Sequence, residues 1–174
     1  MKSVSKKILN LFVHTENTKG LGPIQVVVDE KSIYALCFAG ELDSVLKRLN
    51  KTYKVIHTDG KNKISVECFR QIEKYLSKKI KSFDLPIKLV GTEFQKKIWQ
   101  QLLKIPYGEI STYKQIGLQL KMKNGFQSIG LANKSNPICI IVPCHRVISS
   151  SGQLSGYIGG SQIKKSLLKI ESST

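Results

Sequence analysis

The chain has 174 residues, 41% of them hydrophobic, which suits one compact domain or two small ones packed together. Lysine and arginine outnumber aspartate and glutamate by 28 to 12, a formal net charge of +16, so attraction to a polyanion through counterion release is expected. No stretch approaches the roughly 20 apolar residues that a membrane span requires, and the four cysteines form no CxxC pair and no metal-ligand rhythm with His14 or His57. A reduced intracellular setting, without structural zinc or a disulfide framework, follows from that spacing. Nearly all the positive charge is lysine, the only arginines being Arg48, Arg70 and Arg146. Lysine serves phosphates as a point charge, whereas arginine reads guanine edges bidentately, so this surface predicts backbone binding with little sequence readout.

The first twenty residues place charges before a short apolar run and offer no small-residue cleavage site, so they read as mature protein. Strand-like runs follow at Ile24-Gln-Val-Val-Val-Asp29 and Ser32-Ile-Tyr-Ala-Leu-Cys-Phe38, joined at Asp29-Glu30-Lys31. Helical patterns run from about Glu41 to Leu49 and from about Ser65 to Lys79, with Lys51–His57 as a third strand between them. This mixed α/β layer carries no recognisable chemistry, and Leu85-Pro86-Ile87 reads as a linker. Residues 1–85 and 86–174 are therefore expected to form two domains.

The second part reads as mainly helical. Thr92-Glu-Phe-Gln95 and Thr112-Tyr-Lys-Gln115 both have capping-box spacing. Phe94, Ile98, Leu102 and Leu103 make one apolar face with Trp99 beside it, and Pro106-Tyr-Gly-Glu109 breaks that helix. A short helix over Phe126–Lys134 follows a glycine-containing turn. Two short helices joined in this way in a lysine-rich chain suggest a helix-turn-helix.

The most informative segment is Asn136-Pro-Ile-Cys-Ile-Ile-Val-Pro-Cys-His-Arg-Val147. A wholly apolar run from Ile138 to Val142 stops at Pro143, which is expected to place Cys144 at the end of a buried strand-like piece facing a pocket. His145 follows directly, but neighbours in extended chain point to opposite sides, so a bridging water is easier than a direct Cys–His bond. A thiol with an ordinary pKa of about 8.5 reacts mainly as thiolate and needs a nearby base. The imidazole in turn needs a carboxylate to fix its tautomer; Glu171, on the helical segment Ser161–Glu171, is a candidate that spacing alone does not select. Cys37, Cys68 and Cys139 lack such surroundings and read as structural.

Pro143-Cys-His-Arg-Val147 resembles the active-site signature of the O6-alkylguanine-DNA alkyltransferases, the methylated-DNA–protein-cysteine S-methyltransferases. The resemblance continues in order through Gly91-Thr-Glu-Phe-Gln95 with Trp99, Ile105-Pro-Tyr-Gly-Glu109, Ser111-Thr-Tyr113, Gly130-Leu-Ala-Asn133, Asn136-Pro137, and Gly156-Tyr-Ile-Gly-Gly160 with Lys164, Leu167, Leu168 and Glu171. It covers residues 87–171 densely and the first 85 only loosely. It implies an α/β N-terminal domain, a ribonuclease H-like small sheet with helices. A mainly α, winged-helix-like C-terminal domain with a helix-turn-helix follows.

It also implies a single-turnover methyltransferase that moves the alkyl group of a flipped-out O6-alkylguanine onto Cys144, with no metal or organic cofactor. In that reading His145 activates Cys144 through water, Glu171 orients the imidazole, Asn136 braces the turn carrying the cysteine, and the Tyr113 hydroxyl protonates the departing purine. Tyr157 lines the pocket. Gln127, Ser128, Gly130 and Ala132, with Val147 and Lys164, make the set that meets substrate or DNA, the helix Phe126–Lys134 lying in the minor groove of double-stranded DNA. Arg146 is expected as a structural ion-pair partner. The protein is expected in the cytoplasm, or in the nucleus if eukaryotic, as a monomer with no membrane partner, cooperativity on DNA being left open.

Two positions depart from the family pattern. Gln127 stands where relatives usually carry an arginine that fills the gap left by the flipped base, so weaker duplex binding or flipping is expected. Cys139 stands where relatives often carry proline, which bears on how well bulky alkyl groups fit. Two rivals are a lesion sensor of the same shape that does not repair, and a helix-turn-helix regulator with an inert cysteine. Sensors replace the acceptor cysteine, which this chain retains, and a regulator leaves Tyr113, His145 and Glu171 without a role.

Overall fold

The computed structural model describes residues 5–122, 124–154 and 156–172. Its N-terminal half is a four-stranded sheet, β1 (Ile8–Thr18), β2 (Gly22–Val28), β3 (Ile33–Phe38) and β4 (Lys54–Asp59), in the order β3-β2-β1-β4. Both hairpin pairs are antiparallel, and β4 returns parallel to β1 after helix α1 (Leu42–Thr52). Helix α2 (Lys63–Leu76) packs beside β1 and β2. In strand β1, Leu9, Leu11 and Val13 point inward, whereas Ile8 and Asn10 are exposed and Phe12 is half-buried.

Strand β3 is apolar throughout and buried along its whole length, although it lies at the end of the sheet order. Its free edge is covered by later chain. Ile33 N donates to Pro86 O at 2.7 Å and Lys88 N to Ile33 O at 2.8 Å; further along, Leu36 N donates to Pro137 O and Cys139 N to Leu36 O. An edge that would template aggregation is thereby satisfied, and the segment leading to Cys144 is fastened to a rigid sheet. The opposite edge, β4, is exposed and carries Lys54 and Asp59.

The C-terminal half contains α3 (Glu93–Leu102), α4 (Tyr113–Gln119), α5 (Phe126–Lys134) and α6 (Gly160–Ser172). A two-stranded parallel pair, β5 (Ser111–Thr112) and β6 (Val147–Ile148), lies alongside. Both expected capping boxes form: Gln95 N donates to Thr92 Oγ1 at 3.2 Å and Gln115 N to Thr112 Oγ1 at 3.1 Å, with each glutamine reaching back to the cap amide. Buried Trp99 ties α3 to α5 by donating Nε1–H to Ala132 O at 2.8 Å. The main hydrophobic core is continuous across both halves, from Ile24, Val26 and Leu36 of the sheet to Ile98, Ile129 and Val142. No helix among the described residues is long and apolar enough to cross a membrane.

The α4–α5 pair depends on Gly117, where a Cβ would lie 2.5 Å from the Phe126 ring and 3.0 Å from Ile129 Cδ1. Helix propensity alone favours alanine there by about 1 kcal/mol, but overpacking a tight contact costs roughly 1–3 kcal/mol. Gly117→Ala is therefore expected to destabilise by about 1 kcal/mol, lowering Tm by about 2–4 °C in a chain of this size. A thermal melt checks this; an unchanged or higher Tm overturns it.

Candidate active site

The segment Asn136–Arg146 is not the extended strand that its apolar run suggests. Only Ile138 bridges to Leu36; beyond it the chain winds through tight turns, with Ile141 N on Cys139 O, Val142 N on Ile138 O and Cys144 N on Val142 O. Ile140 takes a left-handed φ of 68°, a costly conformation for a β-branched residue. The Asn136 side chain supports it, donating Nδ2–H to Val142 O at 2.8 Å and accepting Ile138 N–H at 3.0 Å. Cys144 then opens a single 3-10 turn, Cys144–Arg146. The run is apolar because it is buried on every side, a condition that periodicity does not distinguish from a strand.

The same Asn136 Nδ2 lies 3.0 Å from Cys144 Sγ. Burial alone would push this thiol up, but hydrogen bonds from Cys139 and Asn136 and the nearby Lys164 charge outweigh it, holding Cys144 below its ordinary pKa. Cys139, shifted well upward by its contact with Cys144 and by burial, stays a protonated S–H donor. Lys164 is wholly buried; its Nζ donates to Val147 O at 2.7 Å, and burial draws its pKa down.

His145 is completely buried. Its Nε2 meets Glu171 Oε1 at 2.9 Å, whereas its Nδ1 is buried with no hydrogen-bond partner. No direct Cys144–His145 hydrogen bond occurs among the described residues. Glu171, on α6, also accepts from Arg146 Nε at 2.9 Å and Nη2 at 2.9 Å, and from Gly108 N at 3.2 Å. Burial opposes ionisation of this carboxyl, but the donors from His145 and Arg146 prevail and hold it at about 2. For His145 burial wins over the carboxylate, leaving its pKa below the ordinary 6.5.

Two tyrosines flank the sulfur. Burial, followed by the charge at Cys144, pushes both Tyr113 and Tyr157 upward, so each remains a hydroxyl donor. Tyr157 is buried with its hydroxyl unpartnered, and its ring meets His145 edge-on at 6.5 Å. A Cβ at Gly156 would sit 3.9 Å from the Tyr113 hydroxyl, so this tyrosine lies against the Gly156 loop. Cys144 itself is 1% exposed. Among the described residues the sulfur therefore does not face solvent in this conformation: the apolar core and the two tyrosines lie around it.

The remaining positions separate by exposure. Gln127 is exposed on α5, and Ser128 and Gly130 are half-buried beside it. Ala132 and Val147 face the core, and Lys164 is sealed inside, so these side chains support the site from within and do not meet solvent. Sequence reasoning missed Cys139, read as structural, and Tyr75 of α2, whose hydroxyl donates to Glu171 Oε1. For Cys139 the available signal was its place five residues before Cys144, on a segment that must fold back on itself.

Residues 17–89 match the ribonuclease-like domain of 6-O-methylguanine DNA methyltransferase, and residues 93–173 match its DNA-binding domain. Over 151 residues the chain is 42% identical to the methylated-DNA–protein-cysteine methyltransferase of Methanosarcina barkeri, covering 87% of this chain and 91% of that one. The Methanosarcina acetivorans protein of the same name is 50% identical over 107 residues, 62% of this chain and 69% of that one. The crystal structure of Mycobacterium tuberculosis OGT in complex with DNA aligns with a TM-score of 0.77 at 32% identity, over 93% of both chains. With both halves matched in order and a cysteine, histidine and carboxylate gathered in one buried cluster, the chain belongs to the 6-O-methylguanine DNA methyltransferase family.

Proposed function

We propose that this protein repairs DNA by direct reversal, transferring the alkyl group of O6-alkylguanine to Cys144 once per molecule, as a methylated-DNA–protein-cysteine S-methyltransferase. The observation that carries this reading is the Asn136-braced Cys144 beside a buried His145–Glu171 pair whose second ring nitrogen is unpartnered. Once the covering groups part, the thiol proton passes through one bridging water to His145 Nδ1. The thiolate then attacks the alkyl carbon in line; a sulfur–carbon bond forms as the carbon–O6 bond breaks, and the guanine leaves as an anion that the Tyr113 hydroxyl protonates. The product thioether has no easy hydrolytic exit, so the protein is consumed.

The domain division at residues 85 and 86 assigns DNA binding and alkyl acceptance to the second part. Helix α5 enters the minor groove of the duplex, Gln127 and exposed Leu131 leading. Admission of the base requires the Gly156–Tyr157 loop and Tyr113 to part, because the sulfur is covered at rest. The protein acts as a monomer in the compartment that holds the DNA, the cytoplasm in a prokaryote.

Incubation with a duplex containing O6-methylguanine is expected to add the mass of one methyl group to Cys144, located by peptide mass spectrometry. Cys144→Ala is expected to take up none while still binding the duplex; methylation elsewhere at an equal rate overturns the assignment. Because burial holds His145 below 6.5, it is neutral at pH 7, and protonating it removes the base. The single-turnover rate between about pH 5 and pH 8 is therefore expected to stay flat above the ordinary histidine range and fall below it; an acid limb centred above 6.5 contradicts this. Gln127→Arg supplies a planar cation to the gap in the stack, worth about 1 kcal/mol or roughly fivefold in duplex affinity. Fluorescence anisotropy measures it, and no gain counts against the placement of α5.

A further inference from the structure

We propose that Tyr75, supplied by the N-terminal half, is a positioning residue for alkyl transfer: its hydroxyl tempers the basicity of His145 through Glu171. This rests on the alkyl-transfer reading of the site. Tyr75 lies near the end of α2, on the apolar face that also carries Cys68, Phe69 and Ile72, and it is fully buried. By pattern it is a core aromatic. A phenylalanine would satisfy the packing alone, since the ring is held at 5.2 Å from Phe83 and 5.9 Å, edge-on, from Tyr107. The hydroxyl is what packing does not require.

That hydroxyl donates to Glu171 Oε1 at 2.5 Å and lies 3.4 Å from His145 Nε2. Glu171 Oε1 is the same oxygen that faces His145 Nε2 at 2.9 Å. Nε2 therefore looks onto two oxygens, one a carboxylate and the other a hydroxyl whose proton is already committed. Only an Nε2–H satisfies that arrangement, which leaves the lone pair on Nδ1, the buried nitrogen with no partner. Burial, then the Glu171 charge, keeps Tyr75 protonated, so it remains the donor throughout the working pH range.

The consequence for the base has a definite sign. A carboxylate that accepts from Tyr75 and Arg146 as well as from His145 pulls less strongly on the imidazolium. Without the tyrosine hydroxyl, Glu171 stabilises protonated His145 more, and the base stays blocked to higher pH. A phenylalanine ring fills the same space, so burial of the histidine hardly changes. The sheet half of the molecule thus takes part in the chemistry through one oxygen atom.

The test compares wild type with Tyr75→Phe in single-turnover methyl transfer across pH, together with 15N-histidine NMR of both proteins. The chain has three histidines, so His14 and His57 serve as internal controls in the spectra. Tyr75→Phe is expected to slow transfer by up to about tenfold on the acid side of the profile and only slightly at pH 7. Its acid limb is expected to move up by about one pH unit. Uniform slowing with an unmoved limb means a packing role and overturns the proposal, as does an unchanged rate and profile. If Tyr75→Phe does not fold, fluorotyrosine at position 75, a stronger donor of nearly the same shape, is expected to move the acid limb down, and an unmoved limb overturns the proposal. Absence of transfer by wild type itself, with Cys144→Ala identical, refutes the functional reading and not this inference alone.

Discussion

Everything at this site depends on one buried carboxylate. Glu171 is 2% exposed, and an isolated carboxylate at such a position would be driven to protonate. It stays ionised because donors converge on it from three parts of the chain: the Arg146 guanidinium with its neighbour His145, the Gly108 amide and the Tyr75 hydroxyl. Those partners belong to α2, to the loop before β5 and to the 3-10 turn, while the carboxylate itself sits on α6. The charge therefore joins elements that share little sequence proximity. Removing one donor leaves the desolvation penalty intact and the compensation reduced, an asymmetry that makes such clusters rigid. Arg146 is the chief counter-charge and also donates to Ile105 O at 2.6 Å, fixing the turn after α3 to the same centre.

The second constraint is the free edge of β3. A strand whose side chains are all buried leaves an unpaired row of backbone groups inside the protein, which must be satisfied. The chain supplies two segments in turn, residues 86–88 and 137–139. The second of these leads directly into the turns around Asn136 that carry Cys144. A sheet with no catalytic residue of its own thus sets where the sulfur lies, and Asn136 transmits that placement by holding Val142 O, the Ile138 amide and the sulfur together.

Legibility in the sequence followed the range of the forces involved. Capping boxes at Thr92 and Thr112, the β2–β3 hairpin and helices α3 to α6 were readable because their signals lie within a few residues. The Pro-Cys-His-Arg segment was readable through its resemblance to a family. Strand β1 was not, since its apolar run is short and gives way to polar residues from His14 on, and pairing with β2 and β4 is what makes it a strand. The turns at 139–143 were not, because an apolar run reports burial without reporting conformation. Tyr75 was read as part of a layer without chemistry, and only a contact across 96 positions of sequence gives its hydroxyl a task. Cys139 is a similar case: its thiol becomes chemically relevant only once Ile140 turns the chain back toward Cys144.

On the alkyl-transfer reading the protein is a reagent that works once, and it then has a problem that a turnover catalyst lacks, for any stray electrophile or oxidant that reaches the sulfur ends its use. Donors that lower a thiol's pKa make it reactive toward such molecules as well as toward the intended carbon. The covered state reconciles the two demands. With Cys144 at 1% exposure and Tyr113 and Tyr157 held as neutral hydroxyls beside it, solvent has almost no direct path to the sulfur. On the alkyl-transfer reading, the energy that parts these groups comes from DNA binding and insertion of the extruded base, so exposure of the nucleophile coincides with delivery of its substrate. The charge pattern fits that division of labour. Exposed lysines such as Lys114, Lys121 and Lys134 lie on or beside α4 and α5, where phosphates can be met without reading bases. Lys164 is withdrawn into the core, where its charge acts on the sulfur.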